Sequence, residues 1–338
     1  MEGEHSDGKS LTKQEAVLYD RQIRIWGFKG QSRIMKSDVL LVGLGALGAE
    51  SAKNLLLAGI RRLTLLDTSI VTEDDVNQSI LLTQESIGKQ RGAASLEACK
   101  SMNPFVKVDA LDKSVDSLSE EDISSYTVVI LTDQSQPTCN RVSNLCRKLN
   151  VHFCSLSLYG SYAYGILDFQ KESENTTSRE IPEVPLADTE DVNGEVLQNG
   201  KLGELEMVTC ETPASATEFR SHELRRFKDC LSAICSVLAF EKSAGRRWSP
   251  KDAQVLVGPT KEGEAESSLG SELLSCLSLT SIVAIPVVSG IICGEIANAL
   301  SEGTFLGETR VFISDMSVCN GRVVPAFAVP ELQSLLFD

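Results

Sequence analysis

An apolar run, Asp38-Val-Leu-Leu-Val42, leads straight into Gly43-Leu-Gly45-Ala-Leu-Gly48, and a helix-forming stretch from about Ala46 to Ala58 follows. No other segment constrains the chain so tightly. A strand that is apolar without alternation has to be covered on both faces, as strands of a parallel sheet are. Glycines at this spacing permit a tight turn. They also let a phosphate approach the first turn of the helix, where backbone N–H groups are free. Gly59 closes the helix, and Arg62–Leu66 forms a second strand ending at Asp67. That acid stands near the roughly 20-residue offset expected of a ribose-binding carboxylate. The pattern alone leaves three readings open: a nucleotide site, the dinucleotide site of a dehydrogenase, or a relic whose glycines serve only helix–strand packing.

The rhythm of strand and helix continues. Residues 88–102 read as a helix stopped by Asn103-Pro104, 106–108 as a short strand, 127–131 as a strong one, 137–149 as a helix and 152–155 as another strand. This is the signature of a doubly wound, Rossmann-like α/β fold with a mostly parallel sheet. Ahead of it, Thr12 and Glu15 form a capping box that opens a helix running to about Trp26, and a second helical piece covers 31–36. Near the far end, 286–300 reads as a buried helix. Two strands at 309–314 and 322–326 flank Asn320-Gly321, a hairpin turn signal, so the sheet is expected to end in antiparallel strands. Between Glu172 and Glu211 there are eleven acidic and two basic residues, a composition expected of a partly mobile segment. Residues 220–241 read as an amphipathic helix. The expected organisation is a polar tail at 1–10, one domain in two parts at 11–170 and 281–338, and a small acidic and helical insertion at 171–280.

Charge narrows the partners. Thirty-two basic against forty-seven acidic residues give a net charge of −15, which argues against nucleic acid or an anionic membrane. Residues 282–300 are the most apolar stretch, but Glu295 and Asn298 interrupt it, so a core helix is expected and no membrane span. Ten cysteines include no Cys-x-x-Cys pair, and the closest spacings are Cys230/Cys235 and Cys139/Cys146. No metal site is expected from them. With residues 1–10 polar and no signal peptide evident, the cysteines read as reduced thiols of the cytosol or nucleus. No compact run of Lys and Arg argues independently for nuclear import.

Residues 18–27 read Leu-Tyr-Asp-Arg-Gln-Ile-Arg-Ile-Trp-Gly. Two arginines on an average helix are a solvated face. This string just ahead of a glycine turn, however, resembles the opening of the ubiquitin-like-protein-activating family. Further landmarks agree: Lys53–Gly59, Leu65–Asp67, Ser86–Lys89, Asn103-Pro104, the 286–300 helix and the terminal hairpin. The resemblance covers nearly the whole chain. It is best to the small-subunit branch of the heterodimeric SUMO-activating enzymes, which lacks the catalytic-cysteine module and the ubiquitin-fold tail. It implies that Arg21, the first arginine of the string, contacts ATP phosphate in the opposite adenylation half. A permanently charged, delocalised fork suits that task. It further implies ATP and Mg²⁺ bound mainly by a large catalytic partner subunit, SUMO as the adenylated modifier, thioester transfer to a cysteine of that partner, and residence in the nucleus and also the cytoplasm.

Departures from the family pattern concern this chain's own site. Asp67 and Asn77 survive, but Gln78 stands where an arginine is expected and Arg91 where a lysine is. The metal-binding aspartate aligns with Gln134, while Asp133 is one residue away. Adenylation needs cations on the triphosphate and a metal to offset developing charge, and losing one such donor costs roughly 10²–10³ in rate. Gly43, Gly45, Gly48, Asp67 and Asn77 are therefore expected to form a degenerate site. Cys210 lies among acidic residues and Cys230 and Cys235 on a core helix, so none suits a thioester nucleophile. Three alternatives have weaker support. A self-sufficient ThiF/MoeB-like adenylyltransferase needs the full cation set in cis. An oxidoreductase needs a converging site that His5, His152 and His222 do not make. The small subunit of a NEDD8-type activating enzyme has a longer insertion and a degraded glycine turn.

Overall fold

The computed structural model describes residues 12–170, 221–252, 277, 284–302, 309–315 and 320–325. The polar tail at 1–10, the acidic segment at 172–211 and Cys210 lie outside these. The N-terminal capping box forms as expected, but its helix is shorter. α1 (Lys13–Leu18) ends at Tyr19, and α2 (Asp20–Ile34) resumes at a new angle and carries a kink at Gly27. The break arises because Tyr19 turns inward. Its ring is 1% exposed, and its hydroxyl accepts a hydrogen bond from Asn103 at 2.8 Å. The Asn103 amide also donates to the Leu56 carbonyl at 2.7 Å, so the string, the next helix and the Asn103-Pro104 turn are locked together.

β1 (Asp38–Val42) is buried at all five positions, and α3 (Ala46–Ala58) follows the glycine turn and stops at left-handed Gly59. After β2 (Arg62–Leu66) comes a short helix, α4 (Glu73–Gln78). The expected 88–102 helix starts late and is divided into α5 (Arg91–Ala94) and α6 (Leu96–Met102). Residues 88–90 are diverted because they run antiparallel to 69–71, with Val71 donating to Lys89 and Gly88 to Val71. β3 (Lys107–Ala110), α7 (Glu120–Ile123), β4 (Val128–Thr132) and α8 (Gln136–Leu149) complete the parallel half.

β5 (His152–Tyr159) is longer than its apolar run suggested, because it pairs antiparallel with β6 (Tyr162–Asp168), a strand the sequence pattern did not reveal. Two residues join them, and Gly160 takes φ 63°. α9 (Ser221–Ala244) belongs to the segment read as an insertion and packs on the β6–β7 part of the sheet. α10 (Ala284–Glu302) is the expected core helix. It is long and apolar enough to cross a membrane, yet more than half of it is buried against α2, α3 and the sheet. β7 (Thr309–Asp315) and β8 (Asn320–Pro325) end the sheet antiparallel, as expected. Asn320-Gly321 is not the turn, however: it opens β8, paired with Asp315 and Ser314. Pro325 lacks an N–H and is tolerated at the end of this edge strand.

The strand order is β3-β2-β1-β4-β5-β6-β7-β8, parallel through β5 and antiparallel beyond. Side chains alternate between the two faces of the sheet, which carry three cores. Val39, Leu41, Leu63, Leu65 and Ile130 face α3, α6 and α10. Leu40, Val42, Val129, Leu131 and Phe153 face α8. Tyr162, Tyr164, Val311 and Ile313 meet α9. Strand order reverses between β1 and β4, where α/β sheets of this kind form their crevice.

Candidate functional site

The crevice is present. A cavity of about 280 Å³ opens at the N-terminus of α3, lined by Gly45, Ala46, Leu47, Asp75, Gln78, Asp133, Leu158, Gly160, Arg247 and Ile285. The first turn of a helix leaves N–H groups without intrahelical partners, and no side chain caps Gly45. The three glycines nevertheless do different work. Gly43 adopts φ 87°, and a side chain there would meet the Thr132 carbonyl at 2.4 Å. At Gly48 a side chain would lie 2.0 Å from the Gly43 carbonyl. Both glycines are required for packing alone. Gly45 is the one with open space above it. Two thirds of the fingerprint is therefore demanded by the fold, whether or not a nucleotide binds.

Asp67 sits at the strand end, as its spacing predicted, but its carboxylate is already engaged. Oδ2 accepts from the Leu44 N–H at 2.7 Å and from Arg91 at 3.0 Å, and Oδ1 accepts from the Ser69 N–H at 2.9 Å. Arg91 bridges to Asp75 at 3.0 Å. Asn77 is exposed on α4 and does not line the cavity, whereas Gln78 does. At that place in the wall the cleft therefore presents a neutral amide. Of the two residues competing for the metal position, Asp133 lines the cavity. Its backbone is left-handed at φ 52°, and its carboxylate accepts from the Leu158 N–H. The Gln134 amide instead donates to the Thr132 carbonyl at 3.0 Å.

Sequence reading missed the group facing Asp133. Arg247, just beyond α9, places Nη2 2.7 Å from the Asp133 carboxylate. Beside it, fully buried Glu241 accepts from the Gln136 N–H at 2.9 Å, the Trp248 N–H at 3.0 Å and the Tyr159 hydroxyl at 3.2 Å. With a neutral Gln78 in the wall and both strand-end carboxylates bonded to arginines, the donor set does not fit a metal-bound triphosphate. Among the described residues no group of three or more His, Cys, Asp or Glu gathers as for a metal ion. Nor do Cys99, Cys139 and Cys146 suit nucleophilic work, since burial pushes their thiols up to about 12.

Arg21 lies elsewhere. It is exposed on α2 and makes no hydrogen bond or ion pair among the described residues, while neighbouring Arg24 pairs with Asp20 at 3.0 Å. Its neighbour Gln22 donates to the Leu57 carbonyl, one residue before α3 ends. At 1.5 Å per residue, the eleven residues from Ala46 to Leu57 separate Arg21 from the glycine turn by roughly 17 Å. It is not among the residues lining its own cleft. Around it, Val17 is 79% and Ile25 74% exposed, and Leu18, Phe28 and Leu57 are also exposed. On α10, whose C-terminal part meets α2 through Asn298 and Ser301, Val287, Gly290 and Ile291 are exposed as well.

A protein-family model described as the ThiF family matches residues 19–314. SUMO-activating enzyme subunit 1 of Dictyostelium discoideum is 35% identical over 173 residues, covering 50% of this chain and 52% of that protein. The chain thus spans about half the length of this curated relative. The same-named protein of Danio rerio is 32% identical over 314 residues, covering 86% of this chain and 89% of that one. Among solved structures, PaaA superposes with a TM-score of 0.55 at 15% identity, covering 94% of this chain and 84% of PaaA. That likeness concerns the fold alone.

Proposed function

Because this chain belongs to the ThiF family, we propose that it is the supporting subunit of a heterodimeric SUMO-activating enzyme, an ATP-dependent activator of a ubiquitin-like modifier. The observation that carries this reading is the position of Arg21. It is an exposed guanidinium on an apolar face, a helix length away from the chain's own glycine turn. A cation held there serves a phosphate on another polypeptide or none. The relatives named SUMO-activating enzyme subunit 1 support the choice of modifier.

In this proposal the partner subunit holds ATP and Mg²⁺, whose role is to activate the modifier's C-terminal carboxylate by adenylation. This chain docks through the face formed by α1, α2 and α10, presents Arg21 to the phosphates, and keeps the partner's active half in register. Thioester transfer falls to a cysteine of the partner. Residence in the nucleus belongs to the same proposal.

ATP–pyrophosphate exchange tests it. Exchange that depends on SUMO is expected only when both subunits are mixed. Arg21→Ala in this chain should lower it by roughly 10²–10³, the scale for losing one phosphate-directed donor. Robust exchange by the isolated chain would instead favour a self-sufficient adenylyltransferase and sink the reading.

A further inference from the structure

Six oxygens surround the Arg247 guanidinium. Nη2 lies 2.7 Å from Asp133 Oδ1 and 3.0 Å from the Leu158 carbonyl. Nη1 lies 3.0 Å from Ser157 Oγ, 3.1 Å from Tyr159 Oη, 3.3 Å from the Gln134 carbonyl and 3.7 Å from Glu241 Oε1. Its central carbon stands 4.4 Å from the centre of the Tyr159 ring. Carboxylate, carbonyl and hydroxyl oxygens, four around Nη1 and two around Nη2, are the atom types a hard divalent cation takes. Here a side chain of the same polypeptide occupies the space between them.

The position is rigid. Asp133 holds a left-handed backbone, its N–H donates to the Leu156 carbonyl at 2.7 Å, and its carboxylate accepts from the Leu158 N–H at 3.0 Å. Glu241 is 0% exposed and ties α9 to the first N–H of α8. Swinging Arg247 out would leave Glu241 without its cation, and a buried charge without compensation is strongly unfavourable.

We propose that Arg247 is a resident cation of this cleft, standing where a divalent ion would have to sit and denying the cleft to a metal-bound triphosphate. A tethered guanidinium is neither released with product nor exchanged with solvent ions. An assembly containing this chain therefore has no second metal–nucleotide site here. The inference does not depend on which modifier the partner adenylates. It is tested on this chain alone, so its failure and that of the proposed function are separable.

The test is thermal melting of the full chain with and without millimolar Mn²⁺. Wild type and Arg247→Lys, which keeps a fixed charge, should melt at the same temperature in both conditions. Arg247→Met should gain roughly 3 °C with Mn²⁺, as expected for a weak ligand seen only by the folded state. Adding Asp133→Asn to Arg247→Met should abolish that gain. Where Arg247→Met does not fold without metal, the Arg247→Met/Glu241→Gln pair, which removes the stranded buried acid, is used instead, with a smaller gain expected because one of the two carboxylates is gone. An Mn²⁺-dependent rise in wild type that Asp133→Asn removes would overturn the proposal. So would a folded Arg247→Met chain, or the folded pair variant, indifferent to Mn²⁺.

Discussion

Arg91 holds Asp67 by a 3.0 Å ion pair at the end of β2, the place where a nucleotide-binding relative needs a free carboxylate for ribose. Both partners are largely shielded, with side chains 18% and 6% exposed. Arg91→Ala should therefore destabilise the fold by about 3 kcal/mol, because it strands an acid that also caps the glycine turn through the Leu44 N–H. Urea denaturation measures this. A loss under about 0.5 kcal/mol, the range of an ordinary surface substitution, would show that the pair is ornamental.

The face around Arg21 gives a second prediction. Ile25 lies one helical turn after Arg21 on α2 and is 74% exposed. Ile25→Asp should leave this chain's own stability within about 0.5 kcal/mol, since no core contact is lost. If the proposed large subunit docks on this face, the substitution should weaken that association more than tenfold, because it forces an unpaired carboxylate into an apolar interface. Titration calorimetry of the two subunits checks the second half. Unchanged affinity would move the docking face elsewhere.

The parallel half of the fold was legible because its strands are unbroken apolar runs closed by glycine or Asn-Pro stops. β6 was not: Tyr162–Asp168 is buried at every position, but Gly165 interrupts its apolar run and reads as a break. Its one local cue was Gly160, a glycine at the first position of a two-residue turn. Asn320-Gly321 misled for the converse reason, since a turn-forming pair also fits the first residues of an edge strand. In the site, the glycines and Asp67 were readable, whereas Asp133 could not be chosen over Gln134 without knowing that its backbone turns left-handed. Arg247 was invisible, because it lies 114 residues from Asp133 and no spacing rule links them.

Tyr19 yields a third prediction, on packing. Tyr19→Phe keeps the ring but leaves one Asn103 N–H without its acceptor at a site 3% exposed. The expected cost is about 1–2 kcal/mol, the penalty for a buried donor left unsatisfied. Gly59→Ala should cost more, because the new methyl would lie 2.5 Å from the Tyr19 ring and the backbone there is left-handed at φ 81°. Guanidinium denaturation of the two variants gives the order directly. Equal midpoints for both variants and wild type would mean the lock between the string and α3 carries no energy.

His152 sets the response to mild acid. It is buried in β5, its Nδ1 accepts the Gln170 N–H at 3.1 Å, and burial pushes its pKa down to about 4, against an opposing pull from Asp168. An unfolded histidine titrates near 6.5. Between pH 6.5 and 4 the unfolded chain thus binds a proton that the folded chain refuses, so this contribution is intact above 6.5 and is lost as pH falls through the window. Its full size is on the order of 3 kcal/mol. Glu241 works the other way, since burial raises its carboxyl and favours the protonated folded state just above the ordinary carboxylate range. The total slope is therefore a sum, and the clean measurement is a difference between two chains. His152→Gln should flatten the stability curve between pH 6.5 and 4 relative to wild type. Below that window both chains should fall together, as carboxylates such as Asp122, held at about 2 by its bonds from Lys113 and Ser119, take up protons. Parallel curves through the upper window would mean that His152 accepts its proton in the folded state, and that its burial does not govern acid stability.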